Sequence, residues 1–259
     1  CYSFCGSPPE VVRQRPLFWP PHFFYGNNDM SSYSDPHLVE DGERLARAGL
    51  VHRVARPAGP GPHPTVVMLH GRAGNEDVMW IFARTLPKEW LLVAPRGIRQ
   101  DPMGGYSWRL RERDEWPTLV QFDVPVGAVV DFIQALPDLY DADLDNLYLM
   151  GFSQGAATAY AVAMRHPTLV QGIAGLVGFV PMKCDDLMTA DVLASLPIFM
   201  AVGKNDERIP YERSLACAQT LNLAGAELEY QEYDTGHRLN AAGMRDLETW
   251  WQKQATRLR

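Results

Sequence analysis

Gly151-Phe152-Ser153-Gln154-Gly155 lies between an apolar run, Asn146 to Met150, and a stretch of helical character, Gln154 to Arg165. Strand, glycine-flanked serine and helix in that order predict a sharp turn that lifts the serine out of the strand. A side chain two residues before or after Ser153 would strike the adjoining backbone, and glycine at both places removes that obstacle. The turn aims the Ser153 hydroxyl over the C-terminal edge of a sheet, where the N-terminus of the next helix favours developing negative charge. A serine that merely caps a helix in a glycine-rich turn is the plain alternative, and the flanking strand and helix argue against it.

Outward from this turn, short apolar runs alternate with longer amphipathic ones, which predicts a mostly parallel sheet flanked by helices. Strands are expected over Leu50 to Arg56, Thr65 to His70, Trp90 to Ala94, Asn146 to Met150, Gln171 to Gly178, Ile198 to Val202 and Glu227 to Tyr233. Helices are expected over Glu76 to Leu86, Val124 to Leu136, Gln154 to Arg165, Tyr211 to Leu223 and Asn240 to Leu258. In the last of these, Leu247, Trp250, Trp251, Gln254 and Leu258 recur three or four apart and form one face against the sheet. Pro57 to Pro64, with four prolines and two glycines, reads as a loop. Residues 35–259 thus form a single domain. Residues 1–34 hold five prolines and scattered aromatics without periodicity, so they read as an extended tail, and 1–29, ahead of Met30, as dispensable.

The chain has 259 residues, 46% of them hydrophobic, enough for a large core. A net charge of -7 argues against a nucleic-acid or anionic-membrane partner, since either needs a basic face. No stretch reads as the roughly 20 apolar residues of a membrane span, and no signal peptide is apparent, so the expectation is a cytoplasmic protein. The four cysteines, at 1, 5, 184 and 217, lack the spacing of a zinc site or disulfide framework. Cys184 and Cys217 are expected to pack as small apolar residues. The seven histidines include no His-x-x-x-His pair, so no metal site is expected.

A serine is a poor nucleophile unless a base takes its proton and an acid orients that base. His237, in Asp234-Thr235-Gly236-His237, follows the last strand and precedes the last helix, where a loop returns over the sheet edge. His166, before Pro167 at a helix end, suits a cap or surface position. Asp185, Asp186, Asp191, Asp206, Glu207 and Asp234 compete as the acid. Asp206 is favoured because it follows the strand Ile198 to Val202 by one turn; Glu207 and Asp234 stay open. For a tetrahedral oxyanion, the backbone amide of Gln154 is one donor, and that of Arg72, in His70-Gly71-Arg72-Ala73-Gly74, is the other. Asn75 is expected to cap the helix that follows.

These residues resemble the phospholipase/carboxylesterase family of α/β-hydrolases, which includes acyl-protein thioesterases and small bacterial esterases. The resemblance rests on Leu69 to Glu76, Gly151 to Gly155, Val202 to Asp206 with Ile209-Pro210, and Gly236-His237. It implies an α/β-hydrolase fold without a large cap domain, and hydrolysis of small-molecule carboxylic esters or thioesters without a cofactor. Ala94 to Gly97 and Gly104 to Trp108 resemble the family's loop beside the active site. Ala73 stands where many relatives have glycine, and Arg72 sets a charge beside the proposed donor.

The expectation is therefore a serine carboxylesterase acting on small or medium acyl esters. Acyl-protein thioesterase or lysophospholipase-like activity is the alternative. A non-catalytic ligand-binding relative would be expected to show a broken triad. Trp108, Phe179, Val180 and Met182 follow strands at the catalytic edge and are expected around the acyl group, with a core role as the bland alternative.

Overall fold

The computed structural model describes residues 35–110, 116–184 and 191–258; the tail expected over 1–34, and the candidates Asp185 and Asp186, lie outside them. Ten strands are found among the described residues: β1 (His37–Val39), β2 (His52–Ala55), β3 (His63–Leu69), β4 (Leu91–Pro95), β5 (Arg99–Gln100), β6 (Tyr106–Ser107), β7 (Ala142–Phe152), β8 (Gly172–Leu176), β9 (Pro197–Gly203) and β10 (Glu227–Tyr233). The α-helices are α1 (Gly42–Ala48), α2 (Asp123–Tyr140), α3 (Gln154–Arg165), α4 (Tyr211–Leu223) and α5 (Ala241–Arg257).

Eight strands form one sheet in the order β1-β2-β4-β3-β7-β8-β9-β10, with β2 antiparallel to both neighbours and every pair from β4 to β10 parallel. Period-two alternation divides its side chains between two cores. Val67, Leu69, Leu147, Leu149, Ile198 and Met200 pack with buried residues of α2, α3 and α4 on one face. Val66, Met68, Tyr148, Met150, Phe199 and Ala201 meet Leu247, Trp250 and Trp251 of α5 on the other. The predicted face of the last helix is therefore the buried one, although Leu258 is only partly covered. In α3 every residue from Gln154 to Met164 is buried, and its many alanines let it sit close to the sheet.

The structure corrects the sequence reading in places. Val78–Thr85 is a 3-10 helix, where an α-helix was expected from Glu76. The Trp80 indole donates to the Glu76 carbonyl (2.9 Å), the acceptor that an α-helix would give to the Trp80 amide, and that amide turns to Asp77 instead (3.3 Å). Asn75 does not cap this helix; its side chain accepts the Asp77 amide in a turn ahead of it (3.1 Å). β1, α1 and the β5–β6 hairpin were not foreseen. α2 runs past Leu136 through Pro137 to Tyr140, whose ring is buried and whose hydroxyl meets His52 at 2.6 Å.

Leu119–Tyr140 is long and apolar enough to cross a membrane, contrary to the expectation that no stretch is. Here its apolar residues Val126, Val129, Phe132, Ile133 and Leu136 are buried in the core.

Candidate active site

β7 ends at Phe152 and α3 begins at Gln154, so Ser153 occupies the turn between them, with φ 53° and ψ -113°. A non-glycine residue there costs about 1–3 kcal/mol and persists only where its surroundings enforce it. The Ser153 amide is tied to the Leu176 carbonyl (2.9 Å) at the end of β8. A Cβ on residue 155 would run into the carbonyl of Leu69, and one on residue 151 into the backbone of Gly155 and Ala156. Glycine at these two places is therefore a packing requirement as well as a turn preference.

Asp206 follows β9, and His237 follows β10. These strands pair in parallel from Pro197↔Glu227 to Gly203↔Tyr233, so the loops beyond them leave the sheet side by side. His237 Nδ1 donates to Asp206 Oδ2 at 2.7 Å, and the two side chains are 5% and 2% exposed. The other carboxylate oxygen accepts the amides of Arg208 (2.8 Å) and Ile209 (3.0 Å). Burial opposes the charge on Asp206, but the His237 bond and these amides outweigh it and hold its carboxyl below the ordinary range. Its competitors are engaged elsewhere: Asp234 accepts from Asn205 (2.6 Å), and Glu207 is exposed and pairs with Arg208 at 3.8 Å. With Nδ1 committed to the carboxylate, Nε2 of His237 carries the lone pair; it is buried without a hydrogen-bond partner among the described residues. The Phe152 ring, beside Ser153, packs edge-on against this imidazole at 5.3 Å between centroids.

The loop after β3 passes the elbow closely enough that a Cβ on Gly71 would lie 3.4 Å from that of Ser153. His70, fully buried, anchors it: Nδ1 donates to the Gly71 carbonyl (2.7 Å) and Nε2 accepts the Gly97 amide (2.8 Å). Burial pushes the His70 pKa down to about 4. The Gln154 amide, first in α3, belongs to the helix turn whose N–H groups lack intrahelical acceptors.

A sequence model of the phospholipase/carboxylesterase family matches residues 51–255. The chain belongs to this family. Among its relatives, MhqD of Bacillus subtilis, a presumed hydrolase, is 24% identical over 191 residues, 73% of this chain and 92% of MhqD. Carboxylesterase SOBER1 of Arabidopsis thaliana is 23% identical over 148 residues, 54% of this chain and 65% of SOBER1. The Bacillus cereus carboxylesterase structure superposes with a TM-score of 0.70 at 20% identity, covering 81% of this chain and 97% of the other. Zea mays acyl-protein thioesterase 2 gives 0.63 at 22% identity, covering 78% and 98%. These likenesses establish the α/β-hydrolase fold.

Within this family member, the four residues expected around an acyl group have different surroundings. Trp108 and Val180 are buried to 1% exposure or less and offer substrate no surface here. The Trp108 indole donates to the His70 carbonyl (2.8 Å), and its amide donates to the Gln154 side chain (2.8 Å). Val180 is held through its amide by Cys217 Sγ and through its carbonyl by Arg213. Phe179, 8% exposed, stacks edge-on with Trp116, and only Met182, at 42%, stands open.

Several contributors escaped the sequence reading. The Gln154 carboxamide fastens the elbow to the loop of Trp108 and Arg109, accepting from the former's amide and donating to the latter's carbonyl (2.9 Å). Buried Glu76 takes two hydrogen bonds from Arg96, both 2.6 Å, under the same loops. A glutamine after the serine was visible as a motif letter, but its side-chain partner lies 46 residues away. Among the described residues, no group of three or more His, Cys, Asp or Glu is placed to hold a metal ion.

Proposed function

We propose that this chain is a serine carboxylesterase that hydrolyses small or medium acyl esters through an acyl-enzyme intermediate. The observation that carries the reading is the strained Ser153 turn, next to a Phe152 ring that packs on a histidine whose Nδ1 is committed to buried Asp206 and whose Nε2 has no hydrogen-bond partner among the described residues. In this mechanism Ser153 Oγ attacks the ester carbonyl carbon while His237 Nε2 takes the hydroxyl proton. Asp206 keeps the imidazole in the required tautomer and stabilises the imidazolium that forms. The amides of Gln154 and Arg72 receive the charge that moves onto the carbonyl oxygen. The C–O bond to the alcohol then breaks, and His237 returns its proton to the departing oxygen. Water, deprotonated by the same imidazole, then attacks the acyl carbon; the bond to Ser153 Oγ breaks, the imidazolium gives its proton to that oxygen, and the carboxylic acid leaves.

The ester-bond reading draws support from family membership and from relatives that are named carboxylesterases. Phe179 and Met182 are the wall residues proposed for the acyl group. A short pocket predicts rates that rise from acetyl and fall at medium chain length, because a methylene gains about 0.8 kcal/mol only where it is buried. A fluorophosphonate probe tests the nucleophile: the wild type is labelled stoichiometrically at Ser153, and Ser153→Ala loses both labelling and hydrolysis. Undiminished labelling or turnover by Ser153→Ala overturns the reading. Aryl esters and thioesters of increasing acyl length, compared by kcat/KM, separate the esterase from the thioesterase alternative.

A further inference from the structure

Arg72 sets a guanidinium beside the proposed oxyanion site, and the structure accounts for that charge. Its Nε donates to Asp101 Oδ2 at 3.0 Å, and the Asp101 side chain is 0% exposed. The same oxygen accepts the Ser107 hydroxyl at 2.7 Å, and Ser107 Oγ in turn accepts the Ala73 amide at 3.1 Å. The other carboxylate oxygen accepts the Met103 amide at 2.9 Å. The loop is thus tied to one buried carboxylate by two routes, directly by the side chain of residue 72 and through Ser107 by the amide of residue 73. Two further constraints converge on the same segment. Ala73 has φ 58°, a left-handed conformation that a non-glycine residue keeps only when its neighbours enforce it. The Tyr106 amide bonds the Gly74 carbonyl at 2.7 Å, so the β5–β6 hairpin backs the loop from behind.

We propose that Asp101 is the positioning residue of the oxyanion loop: by holding the Arg72 side chain directly and the Ala73 amide through Ser107, it aims the Arg72 amide at the carbonyl oxygen. The proposal rests on the serine-esterase reading above. Asp101 touches no reacting atom; it acts through the direction of one N–H bond. Its charge also neutralises the guanidinium, which would otherwise stand free beside the site. Hydrogen bonds from Arg72, Met103 and Ser107 outweigh the effect of burial and keep its carboxyl below the usual carboxylate range.

Asp101→Asn preserves shape but cannot satisfy the donors. A carboxamide has one oxygen, so either Met103 or the Arg72–Ser107 pair meets an NH2 group. An oxyanion donor acts in the transition state, so kcat for an aryl acetate should fall about 10- to 100-fold while KM stays within about threefold. Affinity for an aryl trifluoromethyl ketone, whose hemiketal presents the same oxyanion, should fall in parallel with kcat/KM. Rates are expressed per fluorophosphonate-labelled Ser153, which removes any loss from a smaller folded fraction. Arg72→Ala, altering a partly exposed side chain, is the second variant should Asp101→Asn fail to fold, and it should show the same pattern. Unchanged kcat and ketone affinity, or a loss confined to KM, in the variant that folds overturns the proposal. A wild type that neither labels nor hydrolyses esters refutes the catalytic reading instead, before any variant is made.

Discussion

His70 should make this protein acid-sensitive in a window set by its burial. The ring is fully buried, with Nδ1–H given to the Gly71 carbonyl and Nε2 accepting the Gly97 amide, so both nitrogens are matched to the neutral imidazole. A proton on Nε2 would face the Gly97 N–H, and the charge would stand in the core. The folded-state pKa is accordingly about 4, against 6.5 for the free side chain. Because the folded value is the lower one, the unfolded chain binds the proton first as pH falls. The contribution is complete above about pH 6.5, declines between 6.5 and 4, and is flat below. At about 1.4 kcal/mol per unit, the loss from pH 7.5 to 4.5 is about 2–3 kcal/mol. Urea unfolding followed by tryptophan fluorescence at half-unit steps, for wild type and His70→Asn, measures it. Asp101 and Asp206, with depressed carboxyl pKa values, lose their contributions lower, as pH falls from about 3.9 through their folded values, and do so in both proteins. The difference between the two curves therefore belongs to His70. Equal losses in wild type and variant across this window would show that His70 is not held neutral.

Asp206→Asn should lower kcat by about 10³- to 10⁴-fold without unfolding the chain, whereas Asp234→Asn should change it by less than about threefold; the reverse order in steady-state assays refutes the pairing. Gly155→Ala should cost about 3 kcal/mol or more, because the new methyl meets the Leu69 carbonyl at the centre of the sheet, and a normal denaturation midpoint contradicts that packing. Ala73→Gly should raise stability by about 0.5–1 kcal/mol, the relief of a left-handed alanine less the entropy that glycine adds to the unfolded chain; a lowered melting temperature argues against strain at this residue.

The elements legible in the sequence are those long enough to show a pattern and bounded by clear end signals. α3, α4 and β10 have the predicted bounds because their ends carry the usual signals: Ser153 before the first, Pro210 before the second, Gly225 before the third. α1 buries only Ala48, and β1 and the β5–β6 hairpin have two or three residues each, too few for a period to show. Trp108 illustrates a different limit. A large aromatic after a strand at the catalytic edge suits a pocket wall or a support equally well. The choice turns on His70 and Gln154, which are 38 and 46 residues away. The pairing of Asp206 with His237 was readable because parallel neighbours β9 and β10 deliver their following loops to one place, a consequence of topology. Asp101 was not, since its partner Arg72 precedes it by 29 residues across an irregular connection.

The three residues of the proposed triad sit on elements of unequal security. Ser153 opens α3, buried from Gln154 to Met164, whereas His237 hangs from β10, an edge strand in which only Tyr233 is buried. Local opening follows such differences, so gentle warming should release the β10 margin while the centre of the sheet stays intact. The imidazole would then drift from a serine that has not moved, and turnover would vanish while circular dichroism still reports a folded chain. Prompt cooling should restore it, since the surviving centre is the template on which that margin reassembles.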